Sequence, residues 1–325
     1  MKRNILIALL VVVALLMFYL FDTVHNNTTD NLNETTITTT TNQETEQSTA
    51  QENTELTETT IEPTAEPVTE PTTEPYVEEE TTSAETESIG IVYPIEYSDS
   101  SCEITITREW YENAWCYIAH LRFTDYTRFG MACANGAYNK GREKASHAAE
   151  RLGAMLVVNG DYTTPKMGND VVRSGVVYKN TKLHSAAIYN ANTGLFTPIG
   201  KLESKYCSTL VKNGKLTDTF SFFRWVLVSD GKVVNKDTGS RAQRTSIGTT
   251  GEAGEIYIVV SDGRYVDGES AGLTFKQCAK LMKQLGCVFA IPLDGGGSST
   301  MVWNGEVLNS AKNNERAVVD FVYFK

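Results

Sequence analysis

The chain has 325 residues, 41% of them hydrophobic, with 40 acidic against 29 basic side chains and a formal net charge of −11. Residues 22–88 hold seventeen acids and no base, so residues 89–325 are left mildly basic at +4. That segment is long enough to bury a substantial core. Its regular apolar periodicity excludes a wholly disordered chain, and the lack of a dense Lys/Arg block argues against a nucleic-acid partner.

After Met1-Lys2-Arg3-Asn4, an unbroken apolar run from Ile5 to Phe21 would span about 25 Å as a helix, close to the ~30 Å of a bilayer core. Cations before the run and acids after it orient the N-terminus toward the cytoplasm. The end of the run, Tyr19-Leu20-Phe21-Asp22, lacks the small residues of a cleavage site. Residues 1–21 are therefore expected to form a single-pass signal anchor in the cell membrane, with the C-terminal domain extracellular. A cleaved signal peptide is the alternative. Residues 22–88, rich in Thr and Glu, bury too little to offset ordering entropy and read as a disordered stalk. Glu-Pro recurs there at 62–63, 66–67, 70–71 and 74–75, favouring extended backbone.

Residues 89–325 read as the folded domain. Alternation over 103–107 and 114–121 predicts a hairpin joined through Glu112-Asn113. Short β-branched or aromatic runs predict strands near 155–158, 174–178, 185–189, 225–228, 255–260, 288–291, 301–303 and 317–322. Helices are expected over 142–152 and 274–285, the second with Thr274 as N-cap and Gly286 just beyond its end. The fold class is α+β: strand-rich mixed sheets with few helices. Of the six cysteines, Cys278 and Cys287 read as buried core thiols, whereas Cys102, Cys116 and Cys133 lie in a strand-rich region with room for one bridge.

Four polar clusters stand at strand ends, where enzymes mount reactive groups on rigid supports. They are Asn159-Gly160-Asp161-Tyr162; Arg241 to Gly248; Ser261-Asp262-Gly263-Arg264 with Glu269-Ser270-Ala271-Gly272; and Leu293 to Met301. In the last, Asp294 precedes Gly295, Gly296 and Gly297 and then Ser298, Ser299 and Thr300, a run whose backbone N–H groups and hydroxyls suit an oxyanion. No Gly-Lys-[Ser/Thr] ending makes it a nucleotide loop. Arg173, Arg241, Arg244 and Arg264 are candidate anion clamps, although a lone arginine is more often surface-exposed or carboxylate-paired. Asp161, Asp262, Glu269 and Asp294 are candidate acid, base or nucleophilic carboxylates, although Asp-Gly also marks ordinary turns. None of the four histidines lies in these clusters or has paired ligand spacing, which disfavours a zinc hydrolase or a His-based triad.

Taken in order, Asn159-Gly160-Asp161-Tyr162, Arg244-Thr245-Ser246-Ile247-Gly248, Asp262-Gly263-Arg264 with Ser270-Ala271-Gly272-Leu273-Thr274, and Leu293-Asp294-Gly295-Gly296-Gly297-Ser298-Ser299-Thr300-Met301 resemble the phosphodiester glycosidase family, to which the uncovering enzyme of lysosomal targeting belongs. The resemblance covers the motif-bearing part, 155–325, and includes Val307 to Ser310 and Glu315-Arg316 near the end. Two positions depart from the family's pattern: Ala242-Gln243 before Arg244, and Pro292 before Leu293. The resemblance implies hydrolysis of a sugar-1-phosphodiester in a surface glycan or exopolysaccharide, without a cofactor or metal. It implies catalytic roles for Asp294, Asp262, Arg244 and Asp161. Substrate contacts would fall to Asn159, Gly160, Arg173, Thr245, Arg264, Ser270 and the Gly295 to Thr300 loop. Two other readings are a glycan-binding module presenting Tyr162, Tyr265 and Trp303, and a metal-dependent phosphodiesterase with Asp161, Asp262 and Asp294 as ligands.

Overall fold

The computed structural model describes residues 91–165, 169–181, 186–199, 206–222 and 225–325. The expected anchor and stalk lie outside the described residues, and among those described no helix is long and apolar enough to cross a membrane. The chain begins with β1 (Ile95–Ser98) and a long hairpin of β2 (Cys102–Tyr111) and β3 (Ala114–Phe123). Its turn holds Glu112 and Asn113 at φ 48° and 62°, the paired left-handed conformation that matches strand twist in two-residue loops.

There follow β4 (Phe129–Cys133), α1 (Ala145–Leu152), β5 (Leu156–Asn159), β6 (Val171–Arg173), β7 (Val176–Lys179), β8 (Ala187–Asn190), β9 (Leu195–Pro198), α2 (Cys207–Lys212) and β10 (Asp218–Phe220). The rest comprises β11 (Val228–Ser229), β12 (Lys232–Val233), β13 (Arg244–Thr249), β14 (Glu255–Ser261), α3 (Phe275–Gln284), β15 (Phe289–Pro292), β16 (Met301–Trp303), β17 (Glu306–Val307) and β18 (Asp320–Phe324).

Two antiparallel sheets dominate, one ordered β1-β2-β3-β14-β13-β15-β11-β12 and the other β17-β16-β5-β18-β4. The period-two alternation of their strands builds a layered sandwich. Tyr117, Ala119 and Leu121 of β3, Ile256, Ile258 and Val260 of β14, Leu156 and Val158 of β5, and Val322 and Phe324 of β18 share one buried core between the sheets. Each such aliphatic or aromatic side chain contributes about 1.5–3 kcal/mol on burial. The opposite face of the first sheet, with Cys116, Ile118, Val259 and Ala290, is covered by Phe275, Cys278, Ala279 and Met282 of α3. The opposite face of the second, with Val157, Val302, Phe321 and Tyr323, is covered by Ala145, Ala148 and Ala149 of α1.

The expected start of α3 is realised as a capping box, with Thr274 accepting from the Gln277 N–H and Gln277 reaching back to the Thr274 N–H. The N-terminus of α1 has no local side-chain cap. Glu315 supplies one from far along the chain, accepting from the Ser146 N–H at 2.9 Å and from its hydroxyl. That carboxylate both meets an orphan donor and sits at the positive end of the helix dipole.

All six cysteines are buried free thiols. Cys102 faces the inter-sheet core and Cys116 the α3 side, so the bridge allowed among Cys102, Cys116 and Cys133 does not form. Burial pushes the thiols of Cys278 and Cys287 up to about 12, in line with their reading as core residues. The Arg244 cluster, read from sequence as a polar strand end, is itself a central strand, β13.

Candidate active site

Register brings the four clusters together. Arg244 pairs with Ser261, Ser261 with Cys116, and Ser246 with Pro292 in the first sheet, while Val158 pairs with Met301 and Asn159 with Phe321 in the second. The end of β5, the end of β15, the start of β13, the end of β14 and the starts of β16 and β18 therefore open at one end of the sandwich.

Asn159 knits the two sheets together there. Fully buried, it donates from Nδ2 to the Asp294 carbonyl at 2.6 Å and accepts at Oδ1 from the Thr245 hydroxyl at 2.7 Å and the Thr300 N–H at 3.2 Å. The Asp294 N–H donates to the Gly160 carbonyl, and the Gly160 N–H to that of Asp320. Gly160 has no room for a side chain, since a Cβ there would lie 2.5 Å from the Asp320 carboxylate. Asn159, Gly160, Thr245 and Thr300 thus fix the loop from beneath.

The glycine loop turns as a short 3-10 helix over Gly296–Ser298. Its N–H groups are mostly spent internally: Gly295 on Asp294 Oδ1, Gly296 on the Gln243 carbonyl, Ser298 on Gly295 and Ser299 on Gly296. Gly297 alone of these retains an N–H without a partner among the described residues, so the expected array of free amides reduces to one donor. Positive charge comes from side chains instead. A Cβ added to Gly295 would lie 3.8 Å from Arg244 Nη1, one on Gly296 would lie 3.6 Å from Arg264 Nη1, and one on Gly297 would lie 3.0 Å from Arg316 Nη2. Three guanidiniums thus lie against three consecutive residues that have no side chains to keep them away.

Each arginine is positioned differently. Arg244 stacks on Phe275 at 3.9 Å and donates to the carbonyls of Leu273 and Ser240, leaving Nη1 directed toward Gly295. Arg264 is exposed on a loop whose Arg264 and Tyr265 hold φ 53° and 55°, a conformation that costs about 1–2 kcal/mol per residue. Arg316 follows Glu315, which is docked on α1. None of the three pairs with a carboxylate among the described residues. Arg316 was absent from the sequence-derived site. Its only sequence signal is the Glu315-Arg316 pair at the family-like end.

Asp294 sits half-buried beside this charge. Burial raises its pKa, against the hydrogen bonds from Ser298 and the Gly295 N–H and the nearby Arg316 charge. The remaining candidates are committed elsewhere. Asp262, almost fully buried, accepts from the Ser310 N–H at 2.9 Å, from Asn309 and from the Tyr117 hydroxyl. Its pKa is raised, chiefly by burial. Ser270 donates to Asp267 and accepts from the Trp115 N–H, tying the Arg264 loop to the β2–β3 hairpin. Arg173 is locked between Asp161 at 3.2 Å and Asp320 at 2.9 Å, with Asp161 also accepting from the Ser221 N–H. Burial and the Asp320 charge raise the Asp161 pKa. Arg173 and Asp161 thus form a sealed network and do not reach the loop.

Of the aromatic face expected of a glycan-binding module, Trp303 lies in the inter-sheet core, edge-on to Tyr97, while Tyr265 is 65% exposed. Among the described residues no group of three His, Cys, Asp or Glu side chains is placed to hold a metal ion, and Asp161, Asp262 and Asp294 do not converge as a donor set.

The profile of the phosphodiester glycosidase family matches residues 152–325. The chain belongs to that family of glycosidase-type hydrolases. It is similar to the SPbeta prophage-derived uncharacterized protein YomE of Bacillus subtilis (strain 168), 28% identical over 195 residues that make up 55% of this chain and 29% of YomE. The chain thus spans less than a third of that relative's length. The catalytic domain of zebrafish N-acetylglucosamine-1-phosphodiester alpha-N-acetylglucosaminidase, auto-inhibited by its pro-peptide, aligns with a TM-score of 0.54 at 19% identity, covering 70% of this chain and 85% of that domain. This likeness shows a shared fold.

Proposed function

We propose that the domain hydrolyses a sugar-1-phosphodiester in a cell-surface or extracellular glycan, cutting the glycosidic C–O bond to give free sugar and a phosphomonoester. The observation that carries this reading is the row of guanidiniums from Arg244, Arg264 and Arg316 against Gly295, Gly296 and Gly297, beside the half-buried carboxylate of Asp294. A phosphodiester carries one negative charge and leaves as a monoester with a second pKa near 6, so holding its charge matters more than protonating it. Preorganised cations and the Gly297 N–H lower the barrier by meeting charge that grows on the leaving phosphate.

In this reading Asp294 acts at the anomeric carbon, either as the nucleophile or as the base that activates water. Burial raises its basicity, while the hydrogen bonds from Ser298 and the Gly295 N–H and the Arg316 charge favour its anionic form. Asn159, Thr245 and Thr300 hold the loop in register, and Asp262, Ser270, Asp161 and Arg173 position the segments that present it. Residues 5–21 would anchor the protein in the cell membrane, with the stalk carrying the domain outward. The run's length and its flanking charges support that part of the reading.

The test is hydrolysis by the full chain in detergent, in ¹⁸O-labelled water, of an α-linked N-acetylglucosamine-1-phosphodiester, the substrate class in the zebrafish relative's name. The expected result is ¹⁸O on the released sugar and none on the phosphate, read by phosphorus NMR and mass spectrometry. Label on the phosphate would overturn C–O cleavage in favour of a phosphodiesterase. A panel of sugar-1-phosphodiesters that yields no product would overturn the hydrolase reading.

A further inference from the structure

A cavity of about 100 Å³ opens beside the glycine loop, lined by Gln243, Ser299, Val266, Ala311 and the backbone of Gly296 and Gly297 among others. Two of these side chains carry buried polar atoms with no hydrogen-bond partner, the Gln243 Oε1 and the Ser299 Oγ. Both residues are more than nine-tenths buried, at 7% and 2% exposure. Orphaned buried acceptors are costly, because each gives up its water without a replacement. The Gln243 backbone is already in use, accepting from the Gly296 N–H at 2.9 Å, so its main chain sets the loop while its amide oxygen waits for a donor.

We propose that this cavity seats the alcohol esterified to the phosphate, and that the alcohol is a short polyol of about three carbons whose hydroxyls donate to Gln243 Oε1 and pair with Ser299 Oγ. The inference rests on the phosphodiester reading and adds the second half of the substrate to it. Its direction follows from the order of parts. Gly296 and Gly297 line the cavity and Asp294 and Asn159 do not, so the sugar carbon belongs at Asp294, the phosphate at the guanidiniums, and the alcohol beyond Gly296 and Gly297. Its size follows from the volume, since water occupies about 30 Å³ in the liquid and a cavity of about 150 Å³ holds one benzene. A glyceryl group, smaller than benzene, fits within that volume, whereas a pyranose would have to project out of it. Its polarity follows from the walls: Val266 and Ala311 offer methyl groups, and the two orphaned oxygens ask for hydroxyl donors.

The test has two readouts on the full chain in detergent. First, glycerol 3-phosphate and methyl phosphate are titrated calorimetrically into wild type, Gln243→Ala and Ser299→Ala, with thermal melts to verify folding. Glycerol 3-phosphate should bind wild type about tenfold more tightly than methyl phosphate, equivalent to ~1.4 kcal/mol, and each variant should lose most of that ratio. Second, the kcat/KM for an α-GlcNAc-1-phosphoglycerol diester is compared with that for its methyl counterpart, expecting a similar preference that the variants abolish. Equal affinities in wild type, with both diesters hydrolysed, would sink the polyol site and leave the hydrolase reading standing. A glycerol phosphate preference with neither diester hydrolysed would support the site and sink the hydrolase reading. A preference that survives in both folded variants would overturn the assignment to Gln243 and Ser299.

Discussion

Two charged clusters occupy the same end of the sandwich, and they use arginine in opposite ways. Arg173 is enclosed between two buried carboxylates, Asp161 and Asp320, and its charge is cancelled within the protein. Arg244, Arg264 and Arg316 meet carbonyls, an aromatic ring and bare glycines, so their charge is left for something that binds. The difference separates an arginine that holds the fold from one that holds a ligand, and neither composition nor spacing distinguishes them. A buried ion pair gains little net stability, yet breaking one side of it leaves a charge stranded. An open arginine contributes almost nothing to the fold and a great deal to binding a charged transition state.

Substitutions on the two sides of this comparison should therefore fail in different assays. The largest effect belongs to Asp294→Asn, which should lower turnover on the order of 10⁴-fold, as loss of a central catalytic carboxylate does. Its melting temperature should stay near wild type, because the amide oxygen can still accept from the Gly295 N–H; an active Asp294→Asn enzyme would remove Asp294 from the mechanism. Next is Arg173→Met, which strands Asp161 and Asp320 in the interior and should cost about 3–5 kcal/mol in urea unfolding. An unchanged midpoint would mean that the sealed network does not hold the fold. Arg316→Ala should show the reverse, a fall in kcat/KM of about 10²–10³ with stability within about 0.5 kcal/mol and partial recovery on adding free guanidinium. A large loss of stability would place Arg316 with Arg173 as a structural residue.

How much of this was legible in the sequence follows the range of the interactions. The β2–β3 hairpin, the Thr274 N-cap of α3 and the glycine loop are specified by residues within a few positions of one another, and the sequence reading located each of them. The strand β13 was read as a polar cluster because Arg-Thr-Ser-Ile-Gly-Thr lacks apolar alternation, although Thr245, Ser246 and Thr249 are all buried in place. Arg173 was read as a clamp and Arg316 was passed over because only tertiary contact tells them apart. The first meets Asp320 from 147 positions away, and the second is placed by a Glu315 docked 169 positions away on α1. Trp303 was read as a glycan face because an aromatic side chain looks the same in sequence whether it packs inward or outward.

The smallest effect expected comes from the edge of the sealed network and depends on pH. Asp218 is buried, accepts from the Ser174 and Met131 N–H groups through one oxygen, and has its pKa pushed up to about 6 by burial. An unfolded aspartate titrates near 3.9, so between about pH 4 and 6 the folded state binds more protons than the unfolded one and stability falls as pH rises. The cost of the charged form is absent below about pH 4 and complete above about pH 6. Asparagine keeps the accepting oxygen and removes the charge. The melting temperature of Asp218→Asn should therefore match wild type near pH 4 and exceed it by about 5 °C near pH 7, a shift consistent with ~2 kcal/mol for a domain of this size. A difference that does not grow with pH would show that the charged form of Asp218 carries no penalty in the fold because Arg173 and its N–H donors compensate it, and would extend the sealed network by one more carboxylate.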